Sequence, residues 1–155
     1  MESNQLHQVV YLSAATTPMG EKELDEILKI ARCNNLAQGI TGMLLYRGGQ
    51  FLQVLEGPET EVLALCQKIQ RDPRHNKLRI VLDGPLKARA FGSWSMGFRD
   101  LTLLKNKAEI LPGFSPFLEE GFSAVECVRY PHKALRLLLA FRNTPMSTGS
   151  NSLAS

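Results

Sequence analysis

Residues 40–58, ITGMLLYRGGQFLQVLEGP, constrain the fold more than any other part of this 155-residue chain. Two short apolar segments flank a Gly-Gly pair, a pattern typical of a β-hairpin. Side chains alternate between the two faces of a strand. In the second segment Phe51 and Leu55 make one face apolar, and Leu52 and Val54 do the same for the other. We therefore expect this strand to be buried on both faces.

Gln53 places a primary amide in the middle of this apolar strand. Burying an amide is costly unless its oxygen and both of its N–H groups find hydrogen-bond partners. Either the fold or a ligand must therefore supply those partners. Asn34 and Asn35 add two more amides shortly before the hairpin. Three carboxamides around an apolar sheet are suited to binding a flat molecule with a polar edge.

Apolar periodicity predicts the other elements of the chain. The predicted strands cover residues 7–13, 40–46, 50–56, 78–86 and 91–98. The predicted helices cover residues 18–34, 58–71 and 131–142. Pro18 is expected at the first helical position, where its missing N–H costs nothing. In the fifth strand Trp94, Met96 and Phe98 are expected to share one face.

The order β-α-β-β-α-β, with one added strand, is the split βαβ arrangement of ferredoxin-like folds. We therefore expect an α+β fold, a ferredoxin-like sandwich with a C-terminal helical extension. The first and third strands should lie side by side and parallel at the centre of the sheet, with Tyr11 and Gln53 near their midpoints. Both helices should cover one face and leave the other open. The helix at 131–142 should bury against this open face or against another subunit.

The composition and the sequence pattern limit which class of protein this chain can belong to. Residues 1–100 are predicted to form one domain, 101–142 a helical extension and 143–155 a disordered tail. No run approaches the roughly 20 apolar residues that span a bilayer, and the N-terminus lacks the features of a signal peptide. We therefore expect a cytoplasmic protein without a membrane partner. Three distant cysteines and three scattered histidines match no metal-site spacing, so we expect no metal.

Residues 68–99 contain eight lysines or arginines and two aspartates. A basic cluster of this kind binds phosphate or nucleic acid, or forms a solvated helix end and strand rim. RNA recognition by a sheet requires exposed aromatic side chains. Tyr11, Phe51 and Phe91 are interleaved with aliphatic residues instead, so we expect no nucleic-acid partner.

Each candidate site residue also has an ordinary structural interpretation. Tyr11 is an acceptable strand residue, backbone groups could satisfy Gln53, and the asparagine pair is a helix C-terminal signal. Taken together, these residues outline a pocket between the two helices and the sheet. Ile27 on one helix and Ile69 on the other would then form apolar walls for a planar ring.

Four segments resemble the BLUF domain, a blue-light sensor that uses flavin: VVYLSAA, LDEILKIARCNNLAQGITGMLLYRGGQFLQVLEGP, IQRDPRH and ARAFGSWSMGF. They cover most of residues 9–98. The separation of Tyr11 and Gln53, the paired asparagines and the motifs ITGxLLY, FLQVLEG, DPRH and WSM occur in the family's order. This combination is highly specific.

The resemblance implies a flavin cofactor: FAD, with FMN and riboflavin as alternatives. It assigns flavin binding to Ile27, Asn34, Asn35, Gln53, Lys68, Ile69, Arg74 and His75. Asn35 would lie toward flavin O4 and Asn34 toward the pyrimidine end, while the two isoleucines sandwich the ring. Lys68 and Arg74 would hold the flavin side chain and phosphate, and His75 would line the rim.

The resemblance also implies a photochemical mechanism. Light makes the flavin a strong oxidant, and Tyr11 supplies an electron and then a proton. Gln53 would bridge the Tyr11 hydroxyl and flavin N5 and O4, and would exchange its hydrogen bonds by rotation or tautomerism. A stronger hydrogen bond at O4 shifts the absorption to the red. Trp94 and Met96 would stand near Gln53, on the strand that carries the signal to the C-terminal region.

The chain resembles the short, stand-alone members of the family, which act through a partner protein or through oligomerisation. We therefore expect no enzymatic activity, a homo-oligomer and a downstream partner protein. Two alternatives remain open from the residues. One is a ferredoxin-like small phosphate hydrolase that uses Arg74, His75 and Asn35, and the other is a ligand-binding regulatory module of the same fold.

Overall fold

The computed structural model describes residues 5–17, 19–47, 49–92, 96–100, 129 and 131–142. The elements in chain order are β1 (Leu6–Ala15), α1 (Glu21–Gln38), β2 (Thr41–Arg47), β3 (Gln50–Pro58), α2 (Glu59–Arg71), β4 (His75–Leu86), β5 (Gly97–Asp100) and α3 (Pro131–Arg142). This order confirms the α+β, ferredoxin-like fold class. None of these three helices combines the length and apolar character needed to cross a bilayer.

The strands form one sheet in the order β4-β1-β3-β2-β5. β1 and β3 are neighbours at its centre, as predicted, but they run antiparallel. The prediction of parallel strands was wrong, because the crossover through α1 leaves β2 running in the direction of β1. The tight turn after β2 then reverses the chain, so β3 is antiparallel to both. β5 returns to the sheet beside β2 and pairs with it in parallel.

The pairing of β1 with β3 places Tyr11 directly opposite Gln53. Residues opposite each other in an antiparallel ladder project their side chains from the same face of the sheet. The backbone register alone therefore brings the phenol and the amide together.

The two faces of the sheet bury different helices. The face that packs against α1 and α2, here called the helix face, contains Val9, Tyr11, Leu44, Tyr46, Phe51 and Leu55. The opposite face contains Val10, Leu12, Met43, Leu45, Leu52 and Val54. Ala134, Leu137 and Leu138 of α3 are buried against this opposite face. The predictions that β3 is apolar on both faces and that α1 and α2 share one face are confirmed.

Helix α1 begins later and ends later than the sequence predicts. It starts at Glu21, because the Glu23 carboxylate accepts a hydrogen bond of 3.0 Å from the Gly20 N–H and so closes the first turn there. The predicted start at Pro18 is wrong for the helix, and Pro18 itself lies outside the described residues. The helix continues past both asparagines until Gly39, which adopts the left-handed conformation with φ of 72°.

Two strand boundaries also differ from the prediction. β4 begins at His75 rather than at residue 78, because the ladder with β1 extends to Ala15 despite the polar residues in between. β5 begins at Gly97 rather than at residue 91. Met96 and Phe98 both pack on the helix face, whereas Trp94 lies outside the described residues.

A buried carboxylate explains why residues 90 and 91 are not in a strand. Glu56 is 0 % exposed and accepts hydrogen bonds from the Thr41 hydroxyl at 3.0 Å, the Ala90 N–H at 2.9 Å and the Phe91 N–H at 2.6 Å. Arg89 reaches the Thr41 hydroxyl at 2.9 Å. These contacts fix the start of the β4–β5 connection to the sheet and hold Phe91 in the cluster under α3.

Replacing Glu56 by alanine should lower the free energy of unfolding by about 2–4 kcal/mol, since the buried Phe91 N–H and the half-buried Ala90 N–H would both lose the carboxylate as acceptor. Urea denaturation followed by circular dichroism measures this change. Glu26→Ala, at an exposed position of α1, is the control and should change it by less than about 0.5 kcal/mol. Equal effects of the two substitutions would contradict a structural role for the Glu56 carboxylate.

Candidate functional site

A cavity of about 430 Å³ lies between the helix face of the sheet, α1 and α2. This volume is in the range of small-molecule sites. All eight residues predicted to bind a cofactor line it: Ile27, Asn34, Asn35, Gln53, Lys68, Ile69, Arg74 and His75. Tyr11 and Met96 line it as well, so the structure brings together every predicted site residue that it describes.

Helical periodicity explains which side chains of α1 and α2 reach the cavity. Ile27, Ala31 and Asn35 recur every four residues on α1 and therefore form one stripe. Leu65 and Ile69 do the same on α2. The two half-buried isoleucines belong to different helices, so the cavity has an apolar wall from each helix.

The paired asparagines differ in their surroundings. Asn35 is 2 % exposed, whereas Asn34 is exposed to solvent, although both line the cavity. Adjacent residues on an α-helix are about 100° apart, so a single helix turn directs Asn35 inward and Asn34 toward the mouth. Because α1 continues past both residues, their side chains are held by helical backbone rather than by a loop.

A chain of hydrogen bonds crosses the sheet at the cavity wall. The Tyr11 hydroxyl donates to Gln53 Oε1, and Gln53 Nε2 donates to Met96 Sδ at 3.1 Å. All three residues are buried, with Gln53 only 6 % exposed. A primary amide offers two acceptor and two donor positions. These contacts use one of each, which leaves a donor and an acceptor position of Gln53 for a ligand.

Burial keeps the groups around this chain neutral. It raises the pKa of Tyr11 above its ordinary value, and the nearby Cys66 and Asp72 add to the effect. The phenol therefore stays protonated and able to donate to Gln53. Burial likewise raises the pKa of the Cys66 thiol to about 11, so Cys66 acts as a small apolar residue beside Tyr11.

The basic side chains at the mouth of the cavity differ in whether they form an ion pair with the described residues. Arg74 is paired with Asp72, whose carboxylate accepts from the arginine Nε at 3.0 Å, and this hydrogen bond lowers the pKa of Asp72. Lys68 and Arg71 are exposed and form no ion pair with the described residues. Arg71 was placed by its sequence position in the basic cluster of residues 68–99 but not among the predicted cofactor-binding residues, although its spacing of three from Lys68 on a helix indicates a shared face.

Two buried polar atoms mark the end of the cavity near β4. Ser13 Oγ and His75 Nδ1 have no hydrogen-bond partner among the described residues. The His75 ring packs edge-on against Phe51 with centroids 6.4 Å apart, and burial lowers the pKa of His75. Sequence reasoning missed Ser13, although alternation along β1 places it on the same face as Tyr11.

The free energy of unfolding should fall more steeply above pH 10 in the wild type than in Tyr11→Phe. The unfolded chain releases the phenolic proton near pH 10, whereas the native state retains it because the pKa of Tyr11 is raised. Stability that is present below pH 10 is therefore lost as the pH rises, by up to about 1.4 kcal/mol per pH unit. Urea denaturation from pH 9 to about pH 11.5 measures the difference, and identical slopes would contradict it.

Comparison with known proteins identifies one family. Its model, described as "Sensors of blue-light using FAD" and named BLUF, matches residues 6–97. The elements from β1 to β4 lie within this range, whereas only the first residue of β5 does and α3 lies outside it.

Individual relatives share this similarity. Photoactivated adenylate cyclase subunit beta of Euglena gracilis is 35 % identical over 159 residues, which cover 96 % of this chain but 18 % of that relative. The dark-state structure of BlrB, a BLUF protein, superimposes with a TM-score of 0.65 and 30 % identity, over 87 % of this chain and 98 % of that one. The photo-activated state of BlsA gives a TM-score of 0.69 and 26 % identity, over 91 % and 99 % of the two chains.

Proposed function

This chain belongs to the BLUF family of blue-light sensors that use FAD, and we propose that it is a blue-light photoreceptor whose oxidised flavin binds in the cavity between α1, α2 and the sheet. The observation that carries the proposal is the buried hydrogen bond from Tyr11 to Gln53 at the cavity wall. It joins a phenol that can give up an electron and a proton to an amide that can exchange its donor and acceptor ends.

The chemistry of the residues that line the cavity supports a flavin as its ligand. Ile27 and Ile69 provide apolar surfaces from opposite helices for the two faces of the ring. The buried amides of Gln53 and Asn35 would meet its polar edge, with Asn35 toward O4 and Asn34 toward the pyrimidine end. The buried Ser13 hydroxyl, which has no partner among the described residues, supports the presence of a polar ligand.

The phosphate of the cofactor fits the mouth of the cavity. Lys68 is exposed there and forms no ion pair with the described residues, whereas Arg74 is already held by Asp72. We therefore propose that Lys68 makes the larger contribution to phosphate binding, and that Arg74 and His75 shape the rim. FAD is the proposed cofactor, and FMN and riboflavin would occupy the same ring site.

The photochemistry depends on residues that the fold holds in contact. When bound, flavin supplies a ring that absorbs blue light and becomes a strong oxidant. Tyr11 keeps its proton until it loses an electron, because burial disfavours the phenolate. An oxidised phenol is a strong acid, and Gln53 Oε1 is the acceptor of its hydrogen bond. The electron and the proton would then return to Tyr11, and Gln53 would be left with its donor and acceptor ends exchanged, by rotation or tautomerism, so that it offers the bound ring a different hydrogen bond.

We propose that Met96 transmits the change at Gln53 from the cavity to β5. Its sulfur accepts from the Gln53 amide, so a change of ends at the amide removes this contact. Met96 is followed directly by β5, which leads toward residue 101 and beyond. We propose that Trp94 and Met96 pass the change to the extension at residues 101–142, and that the chain acts as a homo-oligomer on a partner protein without catalysing a reaction.

Replacing Gln53 by leucine, or Tyr11 by phenylalanine, should leave flavin bound but abolish the reversible red shift under blue light. Leucine has no donor or acceptor to exchange, and phenylalanine has no proton to give. Absorption spectra in darkness and during illumination measure the shift.

The controls for these variants are Gln67→Leu, at an exposed site of α2, and Tyr46→Phe, which is buried on the same face of the sheet but does not line the cavity. Both controls should retain the shift. A full red shift in Gln53→Leu, or a wild type that takes up no flavin, would contradict the proposed function.

Lys68→Ala should weaken binding of FMN about tenfold at low ionic strength and leave riboflavin binding within about twofold, because the two ligands differ only by the phosphate. Fluorescence titration of each flavin measures the affinities. Lys22→Ala, an exposed lysine at the start of α1, is the control and should not discriminate between the ligands. Equal losses for both flavins would instead place Lys68 at the ring or in the fold.

A further inference from the structure

One hydrogen bond from α1 reaches the residue that touches Gln53. Arg32 Nε donates to the backbone carbonyl of Met96 at 3.0 Å. Arg32 lies one turn before Asn35, on the helix that forms one wall of the cavity. It does not line the cavity itself.

Met96 lies just before the first residue of β5 that pairs with β2. The ladder between β2 and β5 begins one residue later, where Gly97 pairs with Met43. Met96 is nevertheless 0 % exposed, and its sulfur accepts from Gln53 Nε2 at 3.1 Å. The contact from Arg32 therefore acts at the point where the chain leaves the cavity and enters β5.

Arg32 is suited to a constant positional role. Its side chain is half-buried, and burial lowers its pKa while Asp25 opposes the change. Arginine nonetheless stays protonated at accessible pH, so the donor is permanently present. A half-buried guanidinium that donates to a backbone carbonyl holds that carbonyl in position and takes no part in a reaction.

We propose that Arg32 is a positioning residue for the photoresponse: by holding the Met96 carbonyl, it sets the Met96 sulfur against the Gln53 amide. Sulfur is a weak acceptor, so this contact depends on how accurately the backbone presents it. Without the arginine, the sulfur would no longer be fixed and the resting arrangement of Gln53 would lose its second partner. The effect on the light response rests on the proposed function, whereas the contact with Met96 does not.

Two substitutions distinguish the role of the Arg32 hydrogen-bond donor from the role of the side chain's volume. In Arg32→Gln, Nε2 is as many bonds from Cα as the arginine Nε, so a donor to the Met96 carbonyl is kept. Arg32→Leu retains an apolar stem and good helix propensity but has no donor. Lys29→Leu, at a neighbouring exposed position of α1, controls for loss of positive charge.

The first measurement needs neither light nor flavin. The chain contains five methionines, and Met96→Leu identifies the Met96 signal in a carbon-13 methyl spectrum of the labelled full chain. Arg32→Leu should move this signal, while Arg32→Gln and Lys29→Leu leave it close to that of the wild type. An unchanged Met96 signal in Arg32→Leu would overturn the inference, whatever the outcome for the photoreceptor.

The second measurement is the rate of dark recovery of the flavin-loaded protein. Arg32→Leu should change this rate at least threefold, in the same direction as Met96→Leu, and the double variant should show no further change because both act through one contact. Arg32→Gln should recover within twofold of the wild type. A wild-type rate in Arg32→Leu, or effects that multiply in the double variant, would contradict the positioning role. A wild type that shows no red shift would instead contradict the proposed function, and the methyl signal would still decide whether Arg32 positions Met96.

Discussion

The hydrogen bond between Tyr11 and Gln53 is the contact on which the rest of the site depends. A buried amide and a buried phenol are each costly alone, and the antiparallel register of β1 and β3 gives each of them a hydrogen-bond partner by placing them opposite each other. The helices then cover this pair from one side of the sheet and leave a cavity over it. The site is therefore formed by the central ladder and is enclosed, rather than created, by α1 and α2.

The charge of the groups around the cavity depends on how deeply they are buried. The Tyr11 phenol at the cavity wall is neutral because burial keeps it protonated, and the Cys66 thiol in the same buried cluster is neutral for the same reason. Charge is confined to the mouth, where Arg74 is neutralised by Asp72 and Lys68 is exposed. A ligand with an apolar ring, a polar edge and a distal anion is complementary to this gradient, which is the chemical description of a phosphorylated flavin.

The central part of this structure was predictable from the sequence, because it depends on local periodicity. The alternation around Gln53 and the stripe on α1 predicted the buried strand, the helix face and the walls of the cavity. The direction of β3 relative to β1 was mispredicted, since it depends on connections rather than on patterns within a strand. Ser13 was missed although alternation along β1 indicates it. Arg71 was assigned to the basic cluster but not to the site, although its spacing on α2 indicates it.

The remaining features depend on contacts that no local pattern encodes. β4 extends into polar residues only because β1 pairs with it, and the start of the β4–β5 connection is fixed by Glu56 in β3. The contact of Arg32 with Met96 joins residues 64 positions apart and uses a backbone carbonyl, which has no sequence signature. The Arg32 contact connects α1 to the residue that precedes β5, so the proposed signalling route begins with a contact that the sequence does not predict.

The most direct test of the central role of Gln53 is a light-minus-dark infrared difference spectrum of the flavin-loaded wild type, with and without nitrogen-15 in the glutamine side chains. A stronger hydrogen bond lengthens a carbonyl bond and lowers its stretching frequency. We expect the flavin C4 carbonyl band to move to lower frequency under blue light, together with amide bands that respond to the label. A carbonyl band that stays in place, or a spectrum without label-sensitive bands, would contradict a hydrogen-bond exchange at Gln53.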